Sequence, residues 1–269
     1  MSRPRGVRSL RTVLAVGGSD PTAGAGIAAD IRTIESFGVQ PTAVVTAVTV
    51  QTARRVSTVQ PVSTALVRDQ LYAVLDSTAV DVVKIGMLPT AAAATTVARV
   101  LDLYEVAVVL DPVMRPTKGR ALGAPGVGKR LVRDLFPLAT CVTANLREAA
   151  VLTGRRVRTL AEMQTAARAL VALGARTAIV KGGHLEGDAL DVVWDGRRMR
   201  VLSGARIGGG PMHGTGCAYA SAVAALMARG FSLASAAAGA KRHVRVLIRS
   251  AVDAPTGGRL RAPRPRAAR

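Results

Sequence analysis

The chain has 269 residues, 49% hydrophobic and 20% charged, enough length for a core of its own, and no apolar run of about twenty residues that would predict a transmembrane helix. Two cysteines exclude a disulfide framework, and the opening MSRPRGVRSLR has no apolar segment of the secretory kind, so a cytoplasmic location is expected. The formal charge of +20 points to nucleic acid or an anionic membrane, but 32 of the 37 basic residues are Arg spread along the chain and aromatics are only 3%, so the surplus reads as composition bias with neither as a partner.

TVLAVGG at 12–18 is a short apolar, β-branched run closed by glycine and predicts a strand. The amphipathic segment 27–37, closed by Gly38, predicts a helix. TAVVTAVTV at 42–50 predicts a second strand, apolar throughout as a strand covered on both faces should be. A helical pattern covers 63–77, VVKIG at 82–86 is a third strand, 90–103 a helix and VAVVLD at 106–111 a fourth strand. A helix near 127–136 leads to another strand end in TCVTAN at 140–145. Thr159 and Glu162 form a capping box opening a helix that runs to Leu173. TAIVKGG at 177–183 is again strand, and LDVVWDGRRMRVL at 190–202 is a hairpin turning at Asp195-Gly196. Two helices, 217–229 and 233–248, follow on either side of Gly230. The organisation expected is a basic leader at 1–11, one unit at 12–252, and a Pro/Gly/Arg-rich, frayed tail at 253–269.

Strands alternating with helices predict an α/β protein with a mostly parallel sheet covered on both faces, whose ligands bind beyond the carboxyl ends of the strands. The chemistry-bearing residues fall there: GGSDPTAGAG after the first strand, Gln51 after the second, Gly86-Met87 after the third, Asp111 at the fourth, Asn145 at the fifth, and Lys181-Gly-Gly-His184 at the sixth.

His213-Gly-Thr-Gly-Cys217 immediately precedes an Ala-rich helix. Glycines that let amides converge, together with a helix N-terminus, suit the charge on a transferring phosphoryl group, although a plain glycine-rich turn has the same composition. Cys217 at that positive end is expected to have a lowered pKa, whereas Cys141 in LATCV reads as a small buried hydrophobe. The turn Gly17–Gly26 is neither a dinucleotide fingerprint nor a Walker loop and says only that a backbone approaches something closely. Asp30 in the following helix either faces that site or is an ordinary carboxylate near a helix start. Asn145 and Glu148 fit Mg²⁺ held through water and fit an N-cap with its capping-box partner equally well. Lys181 offers a point charge for a phosphate, or ends a strand at a turn. No Ser-His-Asp set, CxxC pair or HExxH motif supports a hydrolase or zinc site.

Six collinear stretches, AVGGSDPTAGAGIAADIRT, KIGMLP, LDPVM, TANLREA, VKGGH and HGTGC, resemble the hydroxymethylpyrimidine/phosphomethylpyrimidine kinases of thiamine biosynthesis, members of the ribokinase-like superfamily, from about Val13 to Leu247. The resemblance implies a three-layer α/β/α fold, ATP and Mg²⁺ as cofactors, a homodimer, and two successive phosphorylations of 4-amino-5-hydroxymethyl-2-methylpyrimidine. By position it implies that Asp30 and Gln51 grip the aminopyrimidine with help from Gly18-Ser19, Met87 and Val113. Cys217 would remove the hydroxyl proton, and Gly214, Thr215 and Gly216 would form the anion hole. Lys181, Gly183 and Asn145 would hold ATP, while Asp111 and Glu148 would organise Mg²⁺, through water.

The chain departs from that family's pattern in four places. Val50-Gln-Thr-Ala53 stands where A-Q-N-T is usual, and Arg115-Pro-Thr-Lys-Gly119 shifts a lysine by one. Gly208-Gly-Gly-Pro-Met212 replaces a hydroxyl-bearing segment, and Ala218 and Ala220 stand where hydroxyl residues are common. Two other readings stay open. A pyridoxal-type vitamin B6 kinase of the same superfamily is opposed by Gln51. A catalytically weak kinase-fold protein acting as a basic binding module is opposed by the retained Cys217, Lys181 and Glu148.

Overall fold

The computed structural model describes residues 10–52, 55–114, 122–183, 185, 187–208 and 212–251. Most of the basic leader, the whole tail, Ala53, the segment 115–121, His184 and Gly209-Gly-Pro211 lie outside these. Thr12–Ser19 is strand β1 and Gly26–Ser36 helix α1. Gln40–Gln51 is β2, Val56–Pro61 β3, and Thr64–Ser77 α2, capped by the Ser63 hydroxyl, which accepts from the Leu66 amide. Val82–Ile85 is β4, Ala91–Leu101 α3 and Ala107–Leu110 β5. The helix expected near 127–136 is short: α4 at Val127–Arg130 widens into a π turn at Leu131–Leu135 and a 3-10 turn at Phe136–Leu138. Cys141–Asn145 is β6, Leu146–Thr153 α5, Leu160–Ala172 α6 and Ala178–Gly182 β7. The hairpin of β8 (Leu190–Trp194) and β9 (Met199–Leu202) follows, then α7 (Thr215–Ala228) and α8 (Leu233–Arg249).

These strands form one sheet in the order β3-β2-β1-β4-β5-β6-β7-β8-β9. The run from β2 to β7 is parallel, and both edges, β3 and the β8–β9 hairpin, are antiparallel to their neighbours. Alternation along each strand sends side chains to two apolar layers. Val83 and Ile85 of β4 pack with α2, α3, α5 and α6, while Val82 packs with α1, α7 and α8. The result is a three-layer α/β/α fold. Helix α7 is buried nearly all round from Ala218 to Leu226, as an Ala-rich helix between a sheet and two other helices must be. Strand order reverses between β1 and β4, and the crevice for a ligand lies at that switch point. Among the described residues no helix is long and apolar enough to cross a membrane.

The end of β2 differs from expectation. Val44 is sealed, but Val48 and Val50 are 54% and 61% exposed, so β2 is not covered on both faces. Its register sets Val48 opposite Ser19, the last residue of β1, so Val50 and Gln51 project past the parallel sheet. The short β-branched run at Val56–Pro61, for which no strand is expected above, supplies the antiparallel partner for this projection.

Candidate active site

Two glycine-rich loops, 193 residues apart where Asp20 meets His213, clasp each other at the switch point. The buried Asp20 carboxylate accepts from the Thr22 amide and hydroxyl, the Ala25 amide and His213 Nε2, the last at 2.8 Å. Burial works to raise the Asp20 pKa, but these donors outweigh it and bring it down to about 2. Gly214 has φ +89, and a Cβ there would lie 1.8 Å from the Gly24 carbonyl oxygen. Gly214 and Gly24, whose own Cβ would lie 2.7 Å from the His213 ring, are therefore needed where the two loops meet, whereas Gly26, at φ +58, is needed by the turn of the first loop itself.

Beneath Gly17 and Gly86, Lys84 of β4 and Asp30 of α1 form a fully buried ion pair, Nζ lying 2.8 Å from each carboxylate oxygen. Ser221 of α7 donates to the same carboxylate at 2.7 Å. Burial alone would lower the Lys84 pKa, but Asp30, Cys217 and Asp111 outweigh it and hold the ammonium well above the usual lysine range. A Cβ on Gly86 would lie 2.8 Å from Lys84 Nζ, so the ammonium fills the space a side chain would need.

On the other side of α7, Lys181 of β7 donates to Asp111 at 2.8 Å, and Thr143 of β6 donates to the same oxygen at 3.0 Å. This lysine side chain keeps 13% exposure. Asn145 caps α5 by accepting from the Arg147 and Glu148 amides, and Glu148 Oε2 accepts from the Asn145 amide, so the capping arrangement left open above is present. Burial, the largest influence, and neighbouring Asp111 push Glu148 up to about 7 against the pull of Lys181.

Cys217 is the third residue of α7, and both lysine–aspartate pairs act electrostatically on its thiol. A Cβ on Gly216, its predecessor, would lie 3.7 Å from Lys181 Nζ and 3.8 Å from Asp111 Oδ2. The lowered thiol pKa expected of Cys217 is corrected. Burial pushes the thiol up to about 11, helped by Asp30 and Asp111, and Lys84 and the Gly26 amide offset this only in part. A helix N-terminus does not make a thiolate when burial and two nearby carboxylates weigh against it. Cys141, fully buried and pushed up to about 12, is the small buried hydrophobe expected.

The structure thus draws together Asp30, Asp111, Glu148, Lys181, Gly216 and Cys217. It also corrects Asp30: with both oxygens bound by Lys84 and no part exposed, it lies under the site and offers no free oxygen to a ring. Gly18 sits against Met87, whose sulfur a Cβ at Gly18 would meet at 2.8 Å. Met87 is fixed by the Thr46 hydroxyl donating to its carbonyl, and Val113 follows β5, its amide donating to the Asp111 carbonyl. Gln51 ends the β2 projection, half-buried. Gly183 is exposed, its carbonyl accepting from Arg206 at 2.8 Å. Lys84, Ser221 and the Asp20–His213 contact were not singled out from the sequence. Lys84 carried a signal, a lone lysine inside an apolar strand, and His213 stood in a motif read for its glycines and its cysteine.

The sequence profile of a family described as phosphomethylpyrimidine kinase matches residues 20–260. The thiamine biosynthesis bifunctional protein ThiED of Geobacter sulfurreducens is 44% identical over 92% of this chain, which spans half of that protein's length. The hydroxymethylpyrimidine/phosphomethylpyrimidine kinase of Rhizobium meliloti is 40% identical over 93% of this chain and 94% of its own. Among solved structures, an ADP complex of Bacillus subtilis pyridoxal kinase superposes with a TM-score of 0.86 at 32% identity, covering 94% of this chain and 98% of the other.

Proposed function

Because the chain belongs to the phosphomethylpyrimidine kinase family, we propose that it transfers the γ-phosphoryl group of ATP first to the hydroxymethyl oxygen of 4-amino-5-hydroxymethyl-2-methylpyrimidine and then to the phosphate so formed, in thiamine biosynthesis. The observation that carries this reading is Cys217 on the first turn of α7, with two lysine–aspartate pairs acting on it at the carboxyl ends of parallel strands. Gly18, Gln51, Met87 and Val113 border the ring, and Asp30 serves from below, through Lys84. The amides of Gly214, Thr215 and Gly216 face the transferring group, where a helix N-terminus favours negative charge. Lys181 exchanges its contact with Asp111 for ATP phosphate oxygens, beside Gly183 and Asn145.

Asp111 and Glu148 are two neighbouring carboxylates, and among the described residues no third metal-binding side chain joins them. That set fits Mg²⁺, which keeps several waters and leans on one or two carboxylates plus substrate phosphates. Asp111 and Glu148 would hold the ion, which would supply neutralisation of phosphate charge.

The minor thiolate form of Cys217, scarce at neutral pH because the thiol is pushed up to about 11, takes the hydroxyl proton of the first acceptor as the bond between the γ-phosphorus and the ADP oxygen breaks and the new phosphorus–oxygen bond forms. The second acceptor, a phosphate monoester, is already ionised and needs no base. Cys217→Ala is therefore expected to slow the first transfer by about 10²–10⁴-fold and the second much less. Rapid-quench measurement of ADP formed with each acceptor checks this. Equal loss with both acceptors, or none, overturns the base assignment.

The superposition on a pyridoxal kinase favours one second reading, a vitamin B6 kinase. Comparing ATP consumption with the pyrimidine, its monophosphate and pyridoxal separates the two. We also propose a homodimer, supported by the exposed Val48 and Val50 on the projecting end of β2. Light scattering of Val50→Asp against the parent chain tests it, and an unchanged mass rejects this surface.

A further inference from the structure

Strands β1 and β2 lose their common register once, between Gly17 and Gly18, which stand opposite Val45 and Ala47. Thr46 is thereby left with no opposite residue on β1, and β2 carries one extra residue there, a bulge. The bulge reverses which positions of β2 face inward. Val44 and Thr46 are buried before it and Ala47 and Thr49 after it, which turns Val48 and Val50 outward. Backbone groups around the bulge find other partners, as buried ones must. Gln70 of α2 accepts from the Val45 amide at 3.0 Å and donates to its carbonyl at 3.2 Å, and the Val62 amide donates to the Thr46 carbonyl at 3.0 Å.

The Thr46 side chain is sealed from water, and its hydroxyl donates to the Met87 carbonyl at 2.7 Å. Met87 follows β4, and β1 lies between β4 and β2 in the sheet. The bond therefore spans β1 at Gly17-Gly18, where no side chain stands in the way. A Cβ on Gly17 would lie 3.8 Å from the Met87 amide nitrogen and one on Gly18 2.8 Å from the sulfur, so the thioether rests on the Gly18 backbone.

We propose that Thr46 is a positioning residue for the acceptor: its hydroxyl, set by the bulge, holds Met87 so that the thioether stands against Gly18 as one wall of the ring pocket. This inference rests on the reading of Gly18 and Met87 as borders of the ring. Both lie at the carboxyl ends of β1 and β4, where the strand order reverses and parallel sheets bind their ligands. A methionine side chain is flexible and adapts to its surroundings, so a wall made of one needs a fixed backbone. Threonine suits that task, because its branched Cβ restricts χ1 and so aims the hydroxyl. Thr49 fixes the end of β1 in the same way, donating to the Ser19 carbonyl at 2.7 Å.

The test is a double-mutant cycle read by steady-state kinetics with the pyrimidine and ATP. Thr46→Val keeps the branched shape and removes the donor, Thr46→Ser keeps the donor, and Met87→Ala removes the wall. Thr46→Val is expected to raise KM for the pyrimidine by about ten-fold, the upper worth of one neutral hydrogen bond, with KM for ATP unchanged. Thr46→Ser should restore the parent KM. In the Met87→Ala background, Thr46→Val should raise KM for the pyrimidine no further, because a residue that acts through the wall has nothing left to place. A merely structural role would instead weaken both substrates together and make the two substitutions additive. That additive outcome, or a parent-like pyrimidine KM in folded Thr46→Val, overturns the proposal. If Thr46→Val does not fold, Thr46→Ala is put through the same cycle and decides alone. A parent chain that turns over no pyrimidine overturns the function reading and this proposal with it, and that failure is distinguishable because it shows without any variant.

Discussion

The two lysine–aspartate pairs beside Cys217 have the same 2.8 Å contact and differ in what surrounds them. Lys84 and Asp30 are 1% and 0% exposed, closed over by Gly17 and Gly86, and braced by Ser221. Lys181 keeps 13% exposure, and Asp111 shares its oxygen with Thr143. A sealed pair cannot trade partners, because any exchange would leave an ion without water or counter-charge. A pair at the edge of the crevice can, since an arriving phosphate replaces what the lysine gives up. One chemical pairing thus serves as a fixed brace on one side and as an exchangeable contact on the other, and burial decides which.

Removing one partner breaks the comparison most sharply. Asp30→Ala leaves the Lys84 ammonium alone in the core and should cost about 3–5 kcal/mol of stability, read as a lowered denaturant midpoint. A loss below about 1 kcal/mol would mean that the pair is not sealed. The clasp that keeps both pairs around Cys217 is probed through Asp20, whose pKa falls from 3.8 in the unfolded chain to about 2 when folded. A depressed carboxylate contributes stability above its unfolded pKa and loses it as pH falls through the folded one. Asp20→Asn should therefore destabilise by about 2 kcal/mol at pH 7, and the difference should shrink between pH 4 and pH 2. A pH-independent difference in thermal melts would show that the carboxylate charge plays no part. The smallest effect is expected at the open pair. Lys181→Met should raise KM for ATP on the order of ten-fold, about the worth of one charge-assisted contact, with the melting temperature lowered far less than in Asp30→Ala. Stability losses of equal size in the two variants would erase the distinction between brace and exchangeable contact.

Much of the fold was legible because its signals are local. The β-branched runs at 12–18, 82–86 and 106–111 became β1, β4 and β5. Thr159 and Glu162 form their capping box, and Asp195-Gly196 turns the β8–β9 hairpin. The end of β2 misled, since an apolar run reads the same whether both faces are covered or, as at Val48 and Val50, one stays bare. Of the candidate site, the residues at strand ends were visible because parallel α/β sheets expose those ends to ligands. Asp30 was visible as a residue but not as the partner of Lys84, 54 positions away.

By itself the sequence determined the order of strands and helices, the glycines that must stand where backbones meet, and the motifs that place this chain among phosphomethylpyrimidine kinases. These depend on neighbours within a few positions, where periodicity, capping and backbone freedom act. Only the tertiary structure decided which charges face each other, which are sealed, and in which direction the Cys217 thiol moves. Those follow from dielectric and distance between residues far apart in the chain. The same cysteine after the same glycines reads as a ready thiolate from its neighbours in the chain and is a thiol pushed up to about 11 once burial and two carboxylates act on it.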